Sequence, residues 1–143
     1  MKVLLACSSG GHLYQMSMLT RHWKDKDKLW VSFPTSDAVQ LLEDEKTVWA
    51  HYPTNRSIKN FLRNLLLAHR VLRTEKPGVV ISTGAGVGVP FVILGRLMGI
   101  PTIYVESITR REELSLSGRL CLPVADKLVG QCEKLADKYE KAE

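Results

Sequence analysis

The chain has 143 residues, 45% of them apolar and 24% charged, a balance that suits one compact soluble domain with a real core. Its longest apolar run, Ala85 to Leu94, is interrupted by Gly86, Gly88 and Pro90, well short of the roughly 20 residues that a membrane-spanning helix needs. The formal net charge of +5 leaves nucleic acid, anionic lipid and phosphorylated ligands open until its distribution is known.

Met1 to Cys7 enters a strand pattern directly, with neither a long apolar segment nor a small-residue cleavage site. No signal peptide is expected, and the expected compartment is the cytoplasm. Strands are predicted at Val3–Cys7, Leu29–Phe33, Thr47–Tyr52, Val79–Thr83, Thr102–Val105 and Lys127–Val129. Helices are predicted between them at His12–Trp23, Asp37–Asp44, Ser57–Thr74, Val87–Met98 and, at the end, Glu133–Tyr139. Ile108–Pro123, with Arg110, Arg111 and Arg119, reads as a long loop with room for a short helix. Alternation of this kind, with strands apolar on both faces, implies one α/β domain over residues 1–143 built on a parallel, doubly wound sheet. Cys7, Cys121 and Cys132 are widely spaced, contain no C-x-x-C pair and read as free thiols. No Asp/His ligand cluster is evident, so no metal is expected.

In such sheets ligands bind beyond the carboxyl ends of the strands, and two of the turns there stand out. Ser8-Ser9-Gly10-Gly11-His12 follows the first strand. Its glycines allow positive φ and close backbone approach, and the N-terminus of the next helix favours an anion. At that position the imidazolium form is disfavoured, so His12 is expected neutral and able to take or give a proton. The competing reading is a plain turn in which Ser8 or Ser9 caps the helix. A phosphate-binding G-x-x-x-x-G-K-[ST] loop is absent. A dinucleotide fingerprint fails here on spacing, and the second strand ends in Ser32-Phe33-Pro34 rather than in an acid.

The second turn, Ser82-Thr83-Gly84-Ala85-Gly86-Val87-Gly88, follows the fourth strand, and the next strand ends in Glu106. One acid and one glycine turn should therefore lie side by side above the sheet. A carboxylate there suits a general base or a sugar-hydroxyl ligand. The interval from Gly84 to Glu106 is also close to that of a dinucleotide-binding unit, although the glycines follow G-x-G-x-G. A free-standing nucleotide- or dinucleotide-binding domain is thus the alternative. A plainer reading has the glycines only permit close helix–sheet packing.

The positive charge is concentrated. Lys46 to Thr74 contains no Asp or Glu but holds Lys46, Arg56, Lys59, Arg63, Arg70 and Arg73. Within the predicted helix Ser57–Thr74, Ile58, Phe61, Leu62, Leu65, Leu66 and Leu72 repeat at helical spacing, with Leu67 and Val71 widening the stripe. A wide apolar side and a cationic remainder (Arg56, Lys59, Arg63, Arg70, Arg73) fit an anionic membrane surface, against the commoner case of a solvated crossover helix. No aromatic platform or nucleic-acid motif accompanies the charge, so nucleic acid is not expected as a partner.

The S-S-G-G-H turn, the later T-G-A-G-V-G-V-P and the G-I-P-T-I-Y-V-E-S that follows it together resemble the Rossmann-like N-terminal domain of GT-B glycosyltransferases. The chain is similar to the bacterial capsule and exopolysaccharide subunits of PssD type and to the membrane-side subunit of the eukaryotic split UDP-GlcNAc transferase. The resemblance implies an acceptor face of Ser8, Ser9, Gly10, Gly11, Gly84, Gly86 and Gly88, with His12 or Glu106 as the base. Ser8 and Ser9 stand where the murein lipid-precursor transferase has a Gly-Thr pair. It further implies a polyprenyl-diphosphate-linked saccharide as acceptor, a UDP-sugar co-substrate held mainly by a separate donor-binding subunit, no other cofactor, and peripheral attachment at the inner face of the membrane. Because the sequence ends after one domain, little activity is expected without that partner.

Overall fold

The computed structural model describes residues 2–19, 25–52, 58–84, 86–106 and 116–129. In chain order these form β1 (Lys2–Cys7), α1 (Gly11–Met18), β2 (Asp27–Ser32), α2 (Ser36–Leu41), β3 (Thr47–Trp49), α3 (Ile58–Glu75), β4 (Val79–Gly84), α4 (Gly88–Leu97), β5 (Thr102–Val105), α5 (Leu116–Cys121) and β6 (Lys127–Val129). Among the described residues the strands make one sheet in the order β3-β2-β1-β4-β5-β6, and each adjacent pair is parallel. The predicted helix at Glu133–Tyr139, the residues Thr20–Trp23 and Cys132 lie outside the described residues. The short helix foreseen within Ile108–Pro123 is α5.

Strand alternation divides the core. Val3, Leu5 and Cys7 of β1 pack with Leu13 and Met16 of α1 and with Ala38 of α2 on one face. Leu4 and Ala6 pack with Ala68 and Leu72 of α3 and Phe91 of α4 on the other. Tyr104 of β5 continues that second layer with Val89, Val92 and Cys121. Both faces of the sheet are thus covered, which is what near-continuous apolar strands demand.

The third strand stops at Trp49, three residues before its predicted end. Ala50 still donates to the Ser32 carbonyl at 2.8 Å. The next residue turns its backbone to a side chain: the His51 N–H donates to Asn64 Oδ1 at 2.9 Å, and Asn64 Nδ2 donates to the His51 carbonyl at 3.0 Å. The fully buried Asn64 carboxamide takes the place that a neighbouring strand would fill.

That contact also fixes the rotation of α3. Asn64, Ala68, Val71 and Leu72 face inward, whereas Ile58, Leu62 and Leu66, predicted as part of the apolar stripe, are 79%, 54% and 69% exposed. Lys59, Arg63, Arg70 and Arg73 share the outward side with them. Lys46 does not join this basic face, because it pairs at 2.7 Å with Glu75, which also accepts from Lys2 at 3.1 Å. The bond to Glu75 holds the Lys46 ammonium above its usual range. The same lysines, Lys46 first, hold the Glu75 carboxyl below its usual range. Arg56 lies outside the described residues.

Helix α3 closes on Lys76, a non-glycine residue at φ +47° whose N–H donates to the Leu72 carbonyl at 3.1 Å. Glycine adopts this left-handed cap without the Cβ penalty. Lys76→Gly is therefore expected to raise stability by up to about 1 kcal/mol, and urea unfolding of the two proteins measures it.

Candidate functional site

Strand order 3-2-1-4-5-6 reverses direction between β1 and β4, and that switch point opens a crevice beyond the carboxyl ends of the two strands. The turns after β1 and β4 flank this crevice, and Glu106 follows β5, the next strand along. The topology therefore brings together the two glycine turns and the acid that the sequence singled out.

His12 lies in the first turn of α1 and is half-buried. Its Nδ1 is 2.9 Å from the Thr83 carbonyl oxygen, while Thr83 Oγ1 donates to the His12 carbonyl at 2.8 Å. These two bonds tie the turn after β1 to the end of β4. They depend on an irregularity in the ladder: Ala6 pairs with Ser82 but Cys7 pairs with Gly84, so Thr83 is the extra residue of a β-bulge. Bulges re-aim backbone and side chain near functional sites.

Gly10 precedes α1 at φ +79° and ψ −134°, a conformation open to glycine and few other residues. Its N–H donates at 2.9 Å to Asp37 Oδ2, while Asp37 Oδ1 accepts from Thr35 Oγ1 at 2.5 Å. The hydrogen bond from Thr35 and the backbone N–H of Gly10 hold the Asp37 carboxyl below its usual range. The β2 end thus does carry an acid nearby, in the first turn of α2, but both of its oxygens serve the fold. A Cβ built on Gly10 or Gly11 would meet nothing within 4 Å, so the space above this turn is open.

The remaining candidates divide. Ser8 is buried, Ser9 and Gly86 are half-buried, and Gly84 pairs with Cys7 at the end of β4. Gly88 is buried, and a Cβ there would lie 1.9 Å from Ser82 Oγ and 2.9 Å from Ser82 Cβ. Close helix–strand packing is what the structure shows for this glycine. Glu106 is 1% exposed; its N–H donates to the Val129 carbonyl at 2.8 Å, and its carbonyl receives Gln15 Nε2 at 3.4 Å. Helix α1 thus reaches the end of β4 through His12 and the end of β5 through Gln15. The Cys121 thiol is pushed up to about 12, by burial first and then by the charge of Glu106. Burial likewise pushes Cys7 up to about 12 against a smaller opposing bond from Thr83. Both thiols stay protonated at neutral pH and are not nucleophiles.

In the sequence Thr83 stands only as a member of the second turn, with no role of its own, and neither Asp37 nor Gln15 is singled out. Asp37 has a local signal, since T-S-D after a strand opens a helix, but its bond to Gly10 spans 27 residues. The role of Thr83 rests on a register shift, which side-chain pattern does not encode.

A family model described as "Oligosaccharide biosynthesis protein Alg14 like" matches residues 32–143. The UDP-N-acetylglucosamine transferase subunit ALG14 of Debaryomyces hansenii is 25% identical over 171 residues, covering 99% of this chain and 73% of that protein. The human subunit is 26% identical over 173 residues, covering 99% and 80%. The Candida albicans subunit is 33% identical over a shorter stretch, 61% of this chain and 42% of that protein. Among solved structures, Acinetobacter baumannii MurG superposes with a TM-score of 0.73 at 18% identity, over 90% of this chain and 40% of MurG. UDP-GlcNAc 2-epimerase from Neisseria meningitidis superposes with a TM-score of 0.76 at 14% identity, over 99% of this chain and 46% of the epimerase. At these identities the solved structures establish the fold: a Rossmann-like α/β sheet of the GT-B N-terminal kind, spanning less than half of each neighbour. With most of its length, from the last residue of β2 to residue 143, matched by that family model, the chain belongs to the Alg14-like oligosaccharide biosynthesis proteins.

Proposed function

We propose that this chain is the acceptor-side subunit of a two-component glycosyltransferase, which moves a sugar from a UDP-sugar to a polyprenyl-diphosphate-linked saccharide at a membrane surface. The observation that carries the reading is the junction at the switch point: His12, held by both of its bonds to Thr83, stands between two glycine turns with open space above Gly10 and Gly11. Relatives named as UDP-N-acetylglucosamine transferase subunits support UDP-GlcNAc as the donor. The resemblance to subunits of PssD type supports capsular or exopolysaccharide synthesis as the setting.

In this reading the His12 ring takes the proton of the acceptor hydroxyl. The hydroxyl oxygen then bonds to the anomeric carbon as the bond from that carbon to UDP breaks, and UDP leaves with the electron pair. Gly11 and the N-terminus of α1 face the acceptor's diphosphate, while the Gly10 N–H is already held by Asp37. Glu106 is buried at the end of β5, whereas His12 is half-buried beside the open turn, and on that ground the proton is assigned to His12.

Transfer of label from radioactive UDP-GlcNAc to membrane lipid tests the proposal, with this chain alone, the donor-binding subunit alone and the two together. Product is expected only from the pair. Robust turnover by this chain alone, or no stimulation of the partner, would sink the split-enzyme reading. Gly11→Ala sharpens the test: its Cβ meets nothing in the protein, so stability should hold. A methyl intruding on bound acceptor should raise the acceptor KM about 10-fold.

Among the described residues no helix is long and apolar enough to cross a membrane. The outward side of α3 supports a peripheral contact, since Ile58, Leu62 and Leu66 lie exposed among Lys59, Arg63, Arg70 and Arg73. Leu62→Ser with Leu66→Ser is expected to lower co-sedimentation with phosphatidylglycerol vesicles by about 10-fold or more without loss of folding. Unchanged sedimentation would remove this surface as the membrane contact.

A further inference from the structure

We infer that Thr83 is a positioning residue that sets the tautomer and aim of the His12 ring, leaving Nε2 as the nitrogen that accepts the proton. The inference rests on the reading of His12 as the base, and it adds a specific atom and a second residue to that reading.

A carbonyl oxygen can only accept, so the 2.9 Å contact between His12 Nδ1 and the Thr83 carbonyl places the hydrogen of a neutral ring on Nδ1. Nε2 then carries the free lone pair. The carbonyl is in position because Thr83 is the bulge residue between the Ser82 and Gly84 pairings. The Thr83 hydroxyl locks the arrangement from the other side, donating to the His12 backbone carbonyl at 2.8 Å. Thr83 is fully buried, so water does not compete for these bonds. One residue thereby holds both the ring and the backbone of His12, and a rotation of the ring about its χ angles would break the Nδ1 bond. An acceptor hydroxyl needs a correctly placed lone pair more than it needs a histidine, and general-base catalysis loses rate steeply when the acceptor nitrogen is misaimed.

The test is a long-range proton–nitrogen spectrum of the ¹⁵N-histidine-labelled full chain at about pH 8, above the ordinary histidine range. It is read together with steady-state kinetics of the reconstituted pair. In the wild type, His12 is expected as the Nδ1–H tautomer. Thr83→Val keeps the carbonyl but removes the hydroxyl that holds the His12 backbone beside it; the loosened Nδ1 bond should admit some Nε2–H tautomer and lower kcat about 10-fold at unchanged KM for donor and acceptor, and Thr83→Ser should restore both. An Nε2–H tautomer in the wild type overturns the inference, and so does a Thr83→Val protein with unaltered tautomer and kcat. Full activity of His12→Gln would instead remove the base assignment itself while leaving the tautomer measurement standing, so the two failures are distinguishable.

Discussion

His12→Gln is expected to lower kcat of the assembled two-subunit enzyme by about 100-fold or more, the loss that removal of a general base brings, with the Tm of the chain nearly unchanged. Glutamine fills similar space and can still donate to the Thr83 carbonyl, so the turn should keep its shape, but it has no basic nitrogen to take the hydroxyl proton. Folding should tolerate the change because His12 is only half-buried. Glu106→Gln is the contrasting variant. If that change carries the 100-fold loss and His12→Gln does not, Glu106 is the base. If neither variant slows transfer, the chain serves the partner only as a tether, a role that needs no chemistry at the switch point.

Gly88→Ala is expected to cost about 1–3 kcal/mol of stability, the usual range for overpacking, and to lower Tm by several degrees. The added Cβ would sit 1.9 Å from Ser82 Oγ and 2.9 Å from Ser82 Cβ. Turning the serine hydroxyl away relieves the first contact but not the second, and Ser82 is fully buried in β4. Helix α4 must therefore lift off the sheet, at the expense of Val89, Phe91 and Val92 beneath it. Ser82→Gly in the same chain should recover much of the loss. A Gly88→Ala protein as stable as the wild type would mean that α4 can retreat freely. Because α4 begins at the second glycine turn, its displacement should also disturb that turn, and transfer should fall along with stability.

Most of the sheet is legible in the sequence because the strands are apolar on both faces and the helices between them carry their own period. Thr102–Val105 and Lys127–Val129 match residue for residue. The two glycine turns are legible for a different reason: Gly10 and Gly84 punctuate apolar runs just where β1 and β4 end. What the pattern misses is nonlocal. The rotation of α3 depends on Asn64 reaching His51 across the chain. A period count that treats Asn64 as polar and Leu62 as core turns that helix the wrong way. Glu106 comes at the end of β5 as foreseen, yet it is buried, with its N–H on the Val129 carbonyl of β6, and exposure of a strand-end acid depends on elements that come later in the sequence. The tie between Asp37 and Gly10 and the bulge at Thr83 join residues that share no local pattern.

The central position of β1 in the strand order has a cost during synthesis. β1 leaves the ribosome with its partner β2 close behind in sequence, but its other edge waits for β4, more than seventy residues later. Until Gly84 has emerged, a strand apolar from Val3 to Cys7 stands unpaired along that edge, and loop closure over that distance slows its capture. During that interval the nascent chain exposes the kind of edge that other chains can add to. Slow translation between β3 and β4 should therefore increase aggregation, whereas a pause after β4 should not.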